Sequence, residues 1–141
     1  MEHLLSIVIA TIFILLALLH LFWVFWGKWG ISATIPTDLN GRRVFNPGRP
    51  GTLLVAIGLI FFALTNLCAI GVLKGPFDNN YAGYGMYMIS GIFFVRFIGD
   101  LKYVGVFKKY RNTVFASRDT HIYTPLSLFL SISNGILAVM F

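Results

Sequence analysis

Arg96 and Asp100 stand four residues apart inside an otherwise apolar stretch of the chain. On a helix, residues at i and i+4 share a face, so the two side chains can form a charge-assisted hydrogen bond that neutralises both in a low-dielectric setting. An arginine near the centre of a bilayer costs about 2.5–3.5 kcal/mol on insertion scales, so it calls for a partner or a use. Two roles are open for the pair: gluing a helix bundle together, or holding an anionic group. His20 lies in a second apolar stretch. A histidine can carry a proton near neutral pH or serve as a neutral hydrogen-bonding group between helices. With Asn66, Tyr103, Ser131 and Asn134, these residues form a candidate polar pocket within the apolar part of the protein. A second candidate site is the pair Asp119 and His121, in a basic stretch where Asp119 is free to pair with Arg118, Lys109 or the neighbours of Arg96.

Other chemistries find little support. No serine or cysteine sits in a recognisable nucleophile–base arrangement, so no catalytic residue is assigned. Neither a metal-ligand spacing nor a phosphate-binding glycine loop occurs, which argues for no metal and no cofactor. The single Cys68 cannot form an intrachain disulfide.

The elements that must position these residues follow from composition. The chain has 141 residues, 57% hydrophobic and 11% charged, with a mean hydropathy of +0.81. A chain this small and apolar cannot bury its oily surface in one water-soluble core. The surplus is gathered into runs of about 20 residues, the length a helix needs to cross a hydrocarbon core of about 30 Å. Four spans are predicted, at about 4–26, 51–73, 82–105 and 124–141, forming an all-α antiparallel four-helix membrane bundle in a single domain. The first ends at Trp26 within a cluster of Trp23, Trp26 and Trp29, an aromatic belt at the headgroup level. It is longer than the apolar core of a secretory leader and starts with Glu2 instead of lysines, so it reads as a retained span. The loop 27–50 carries the turn formers Asn40-Gly41 and Asn46-Pro47-Gly48. A compact turn at 74–81 contains Pro76 and Asp78-Asn79-Asn80, and a basic loop runs over 106–123. Thr124-Pro125 is expected to cap and open the fourth helix.

Lys28, Arg42, Arg43 and Arg49 lie in the first loop and Lys108, Lys109, Arg111 and Arg118 in the third, against Lys74 alone in the second. Positive loops stay in the cytoplasm, which places both termini outside it. The net charge of +6 is thereby explained with no nucleic-acid partner. Arg42, Arg43, Lys108 and Lys109 are also candidates for holding anionic lipid headgroups.

Small and polar residues at helical spacing mark the faces that pack together in lipid. These are Ser6, Ala10, Ala17 and His20 in the first span and Thr52, Ala56, Ala63 and Asn66 in the second. In the third they are Arg96, Gly99, Asp100 and Tyr103, and in the fourth Ser127, Ser131, Asn134 and Ala138. At a rise of about 1.5 Å per residue, His20 and Asp100 sit about 10 Å below the cytoplasmic surface, with Ser131 a little deeper. Arg96 and Asn134 come out at about 15 Å and Asn66 deeper still. The expected result is one pocket open toward the cytoplasm.

Several segments together resemble a known family: Leu19-His20 with Trp23, Arg96-Phe97-Ile98-Gly99-Asp100 continuing to Tyr103, Gly105, Phe107 and Lys108, then Phe115-Ala116, Asp119-Thr120 and Tyr123-Thr124-Pro125-Leu126. The chain resembles, over essentially its whole length, the small four-span bacterial membrane proteins grouped as domain of unknown function 3995. It departs from that pattern at Trp26-Gly27, where a glycine pair is expected. The resemblance implies a fold and a bacterial inner membrane, with no activity or catalytic residue to carry over. Two roles follow from the residues. One is an accessory component that binds a membrane-protein partner or further copies of itself. The other is an enzyme or carrier that holds a small amphipathic or lipid-like molecule in the polar pocket.

Overall fold

The computed structural model describes residues 1–74 and 79–141. Pro76 and Asp78 of the expected outer turn lie outside the described residues. Four long helical segments account for most of the fold: α1 (Glu2–Phe25), α2 (Arg49–Ala69), α3 (Asn79–Ile98) and a continuous run of α4 (Val114–Arg118), a π-helical turn (Asp119–Tyr123) and α5 (Thr124–Met140). The described residues contain no β-strand, only an isolated bridge between Thr37 and Arg43. Three of the helical runs, Glu2–Phe25, Arg49–Ala69 and Val114–Met140, are long and apolar enough to cross a membrane.

α1 packs chiefly on α2 and α3 chiefly on α5, and the two pairs close on each other through lesser α2–α3 and α1–α5 contacts. Phe13, Phe62 and Phe93 meet where the pairs join, with ring centroids 5.5–6.3 Å apart. Phe13, Ile9, Met86, Ile89, Leu130 and Leu137 are fully buried around them. The small and polar faces expected on the first, second and fourth spans are inward: Ser6, Ala10, Ala56, Ala63, Asn66 and Asn134 are among the least exposed residues. Large aliphatic and aromatic residues such as Leu18, Leu54, Phe94, Val95, Ile132 and Val139 point outward. A fold with polar atoms inside and oily side chains outside is what a hydrocarbon solvent favours.

α2 ends at Ala69, short of the expected 73, and two helix ends differ more from their expected positions. α3 stops at Ile98 because Gly99 turns into the left-handed region (φ 80°), and Asp100 and Tyr103 therefore do not continue the helical face of Arg96. The fourth helical run starts ten residues earlier than expected, at Val114. Its cap is Thr113, whose Oγ1 accepts from the N–H of Ala116 at 3.0 Å. Thr124 is itself helical, so it is not the cap. Pro125 removes a backbone donor and would crowd the carbonyl four residues back, and the widened π turn just before it accommodates both demands.

Candidate functional site: a charged node beside an apolar cavity

Between α3 and α4 the chain folds back tightly on the end of α3. The N–H of Val106 donates to Phe97 O at 2.9 Å. A Cβ on Gly105 would overlap Ile98 O, and one on Gly99 would overlap the carbonyl of Val104, so only glycine allows these two backbones to meet. Asp100 staples the turn: its Oδ1 accepts from the N–H groups of Lys102, Tyr103 and Val104 at 2.7–2.9 Å. Partial burial pushes this carboxyl up, and the three N–H donors more than offset that, holding it below its ordinary value of 3.8.

The fold-back delivers donors to Asp119, which is fully buried on the π turn. Its Oδ1 accepts from Arg96 Nη2 at 2.7 Å. Its Oδ2 accepts from the N–H of Gly105 at 2.9 Å, from Lys108 Nζ at 3.0 Å and from Thr124 Oγ1 at 3.2 Å. Four donors fill the acceptor capacity of a carboxylate. Lys108 is 3% exposed and also donates to Gly105 O at 3.0 Å. The partner of Arg96 is thus Asp119, 23 positions away in sequence, and not Asp100. The node holds two cations and one anion.

Arg96 reaches from the node to the wall of a cavity of about 610 Å³. The other walls come from α1, α2, α3, the π turn, α5 and the first loop, and most are apolar, including Leu16, Leu59, Phe62, Phe93 and Ile35. His20 also lines it, its Nδ1 donating to Leu16 O at 2.7 Å. The first loop covers the cavity, tied down by Tyr123 Oη donating to Ala33 O at 3.1 Å and Trp23 Nε1 donating to Trp29 O at 2.8 Å. Nη1, the second terminal nitrogen of Arg96, is shielded and makes no hydrogen bond.

The other predicted pocket residues are elsewhere. Asn66 Nδ2 donates to Asn134 Oδ1 at 3.2 Å, joining α2 to α5. Ser131 Oγ donates to Ser90 O at 2.9 Å while Ser90 Oγ donates to Ser131 O at 2.7 Å, joining α3 to α5. None of these residues lines the cavity under the first loop. Tyr103 stacks on Tyr110 with centroids 5.2 Å apart, outside the bundle's polar contacts. His121 is exposed, its Nδ1 donating to Ser117 O at 2.8 Å. Arg42, Arg43 and Lys109 are exposed, whereas Lys108 is not at the surface and cannot meet a headgroup without leaving Asp119. Sequence reasoning overlooked Gly105 as a backbone donor, Thr124 as a ligand of Asp119, and Tyr123 as a tie to the first loop. Among the described residues, no three histidine, cysteine, aspartate or glutamate side chains gather as a metal site.

The family model described as "Protein of unknown function (DUF3995)" matches residues 13–134, a stretch that contains every residue of the node and of the cavity wall named above. No curated protein and no solved structure matches the chain. With the family model covering most of its length, the chain belongs to the DUF3995 family.

Proposed function

We propose that this protein is a four-span component of the bacterial inner membrane, with both termini outside the cytoplasm, that holds a small amphipathic molecule in the cavity under its first loop. The observation that carries the reading is the cavity itself: about 610 Å³, within the range of about 300–1,000 Å³ used for small ligands, with apolar walls and few polar groups. A purely packing or partner-binding component, alone or as a homo-oligomer, does not require such a space between its helices and first loop. Membrane insertion is supported by the apolar exterior of the bundle and by the three long apolar helices. Orientation is supported by the basic residues: the first loop is tied to the π turn that follows the 99–113 loop, so both loops lie at one end, and Lys102, expected within a span, adds to their positive charge.

With no nucleophile beside a base among the described residues, retention or transfer of the molecule accounts for the site better than bond cleavage. Gly58 gives a direct test, because it lines the cavity and a Cβ there meets nothing within 4 Å. Extraction of the protein into detergent-free polymer discs and native mass spectrometry should show a stoichiometric small amphipathic adduct, absent from Gly58→Leu at unchanged thermal stability. An empty wild-type cavity, or an adduct equally retained by Gly58→Leu, would contradict the proposal.

A further inference from the structure

We infer that the bound molecule carries a single negative charge at its polar end, read by the guanidinium of Arg96; this rests on the cavity reading above. The argument is one of charge and donor accounting. Arg96 and Lys108 bring two positive charges to the node and Asp119 brings one negative charge, which leaves a surplus of one. No other acid reaches it among the described residues. Asp100 is turned to its own loop backbone, Asp38 accepts from the N–H groups of Asn40 and Arg42, and Glu2 lies at the start of α1 beside His3. A surplus positive charge on a side chain that is 32% exposed in a mostly apolar wall attracts a compensating anion more strongly than it would in open water.

Donor geometry points the same way. Asp119 takes only Nη2 of the guanidinium; Nη1 is enclosed, and an anion in the cavity meets the part of the Arg96 side chain, about 32%, that stays exposed. A planar guanidinium with one donor fixed can still serve a second oxyanion. Asp119 acts here as a positioning residue: anchored in turn by Lys108, Gly105 and Thr124, it fixes the plane of the Arg96 guanidinium. The surplus of one favours a monoanion, either a carboxylate on an aliphatic chain or the phosphodiester of a membrane lipid.

The two sources and the charge requirement separate in one experiment. The full chain in nanodiscs of zwitterionic phosphatidylcholine is offered laurate, dodecanol or phosphatidylglycerol, and occupancy is read by native mass spectrometry. One bound monoanion per chain is expected, with laurate or phosphatidylglycerol retained at least about tenfold over dodecanol, as a charge-assisted hydrogen bond implies. Retention of laurate alone assigns a free carboxylate, and retention of phosphatidylglycerol alone assigns the diester. Arg96→Gln leaves Asp119 with Lys108, Gly105 and Thr124 and brings the node to neutrality, so it should abolish the preference while dodecanol still binds. Equal retention of laurate and dodecanol by the wild type, or an undiminished preference in Arg96→Gln, would overturn the inference and leave the cavity reading standing. Failure of all three probes, with an empty cavity, would remove both.

Discussion

Two polar regions lie inside this bundle and they are built on opposite principles. In the middle, Asn66 meets Asn134 and Ser90 meets Ser131, neutral groups joining one helix to another in pairs. Near the end of α3, four donors from three parts of the chain converge on one carboxylate, and two of them are charged. The neutral pairs need only two helices at the right depth. The charged node needs a loop to fold back, a glycine at 105 to let it approach, and a π turn to present Asp119. Neutral contacts can therefore tolerate small shifts, whereas the node forms as a unit or leaves buried charge unpaired.

Asp119→Ala should be the most damaging change, because it strands Lys108 and Arg96 without their anion; a loss of about 3–5 kcal/mol is expected. Thermal unfolding in nanodiscs would show it, and a loss no greater than that of Asn134→Ala would erase the distinction between the regions. Gly105→Ala ranks next. Its φ of 89° and the clash with Ile98 O should cost about 1–3 kcal/mol from backbone strain alone, and the lost approach to Asp119 should appear as weaker thermal stability. In the neutral region, a double-mutant cycle on Asn66 and Asn134 should give a coupling of about 0.6 kcal/mol and no more than about 1.7 kcal/mol. The smallest effect belongs to Asp100. Its carboxyl is held below 3.8, so its contribution is fully present above that pH and fades only as pH falls through the lower folded value. Wild type should therefore exceed Asp100→Asn in stability by a small, constant margin at neutral pH that shrinks only below about pH 3.8, and the absence of any margin at neutral pH would show that the carboxylate does not hold its turn.

The inward faces of the neutral region were legible from the sequence, but its residues were expected in one pocket with Arg96 and the pairing with Ser90 was not foreseen; the charged region was only half legible. Spacing alone puts Asn66 on the inward face with Ala56 and Ala63, and Asn134 with Ser127 and Ser131, because helical period decides which side chains share a face. Extending the same period through Gly99 failed. The glycine leaves the helix, and Asp100, which looks like a partner for Arg96 at i+4, spends its oxygen on the loop backbone instead. Asp119 stood out as an acid in a basic stretch, yet nothing local connects it to an arginine 23 residues earlier; only tertiary closure does. Lys108 beside Lys109 reads as a headgroup pair, and its burial shows only when the fold-back is seen. Thr124 before Pro125 has the chemistry of a cap, but a continuous helix turns its hydroxyl to Asp119.

A pair of double-mutant cycles distinguishes the two possible anchors of Arg96 most directly. Thermal stability in nanodiscs would be measured for Arg96→Gln combined with Asp119→Asn and, separately, with Asp100→Asn. The observed geometry requires a coupling of at least about 1 kcal/mol between Arg96 and Asp119, and additivity within about 0.5 kcal/mol for Arg96 and Asp100. Coupling to Asp100 with additivity at Asp119 would contradict it.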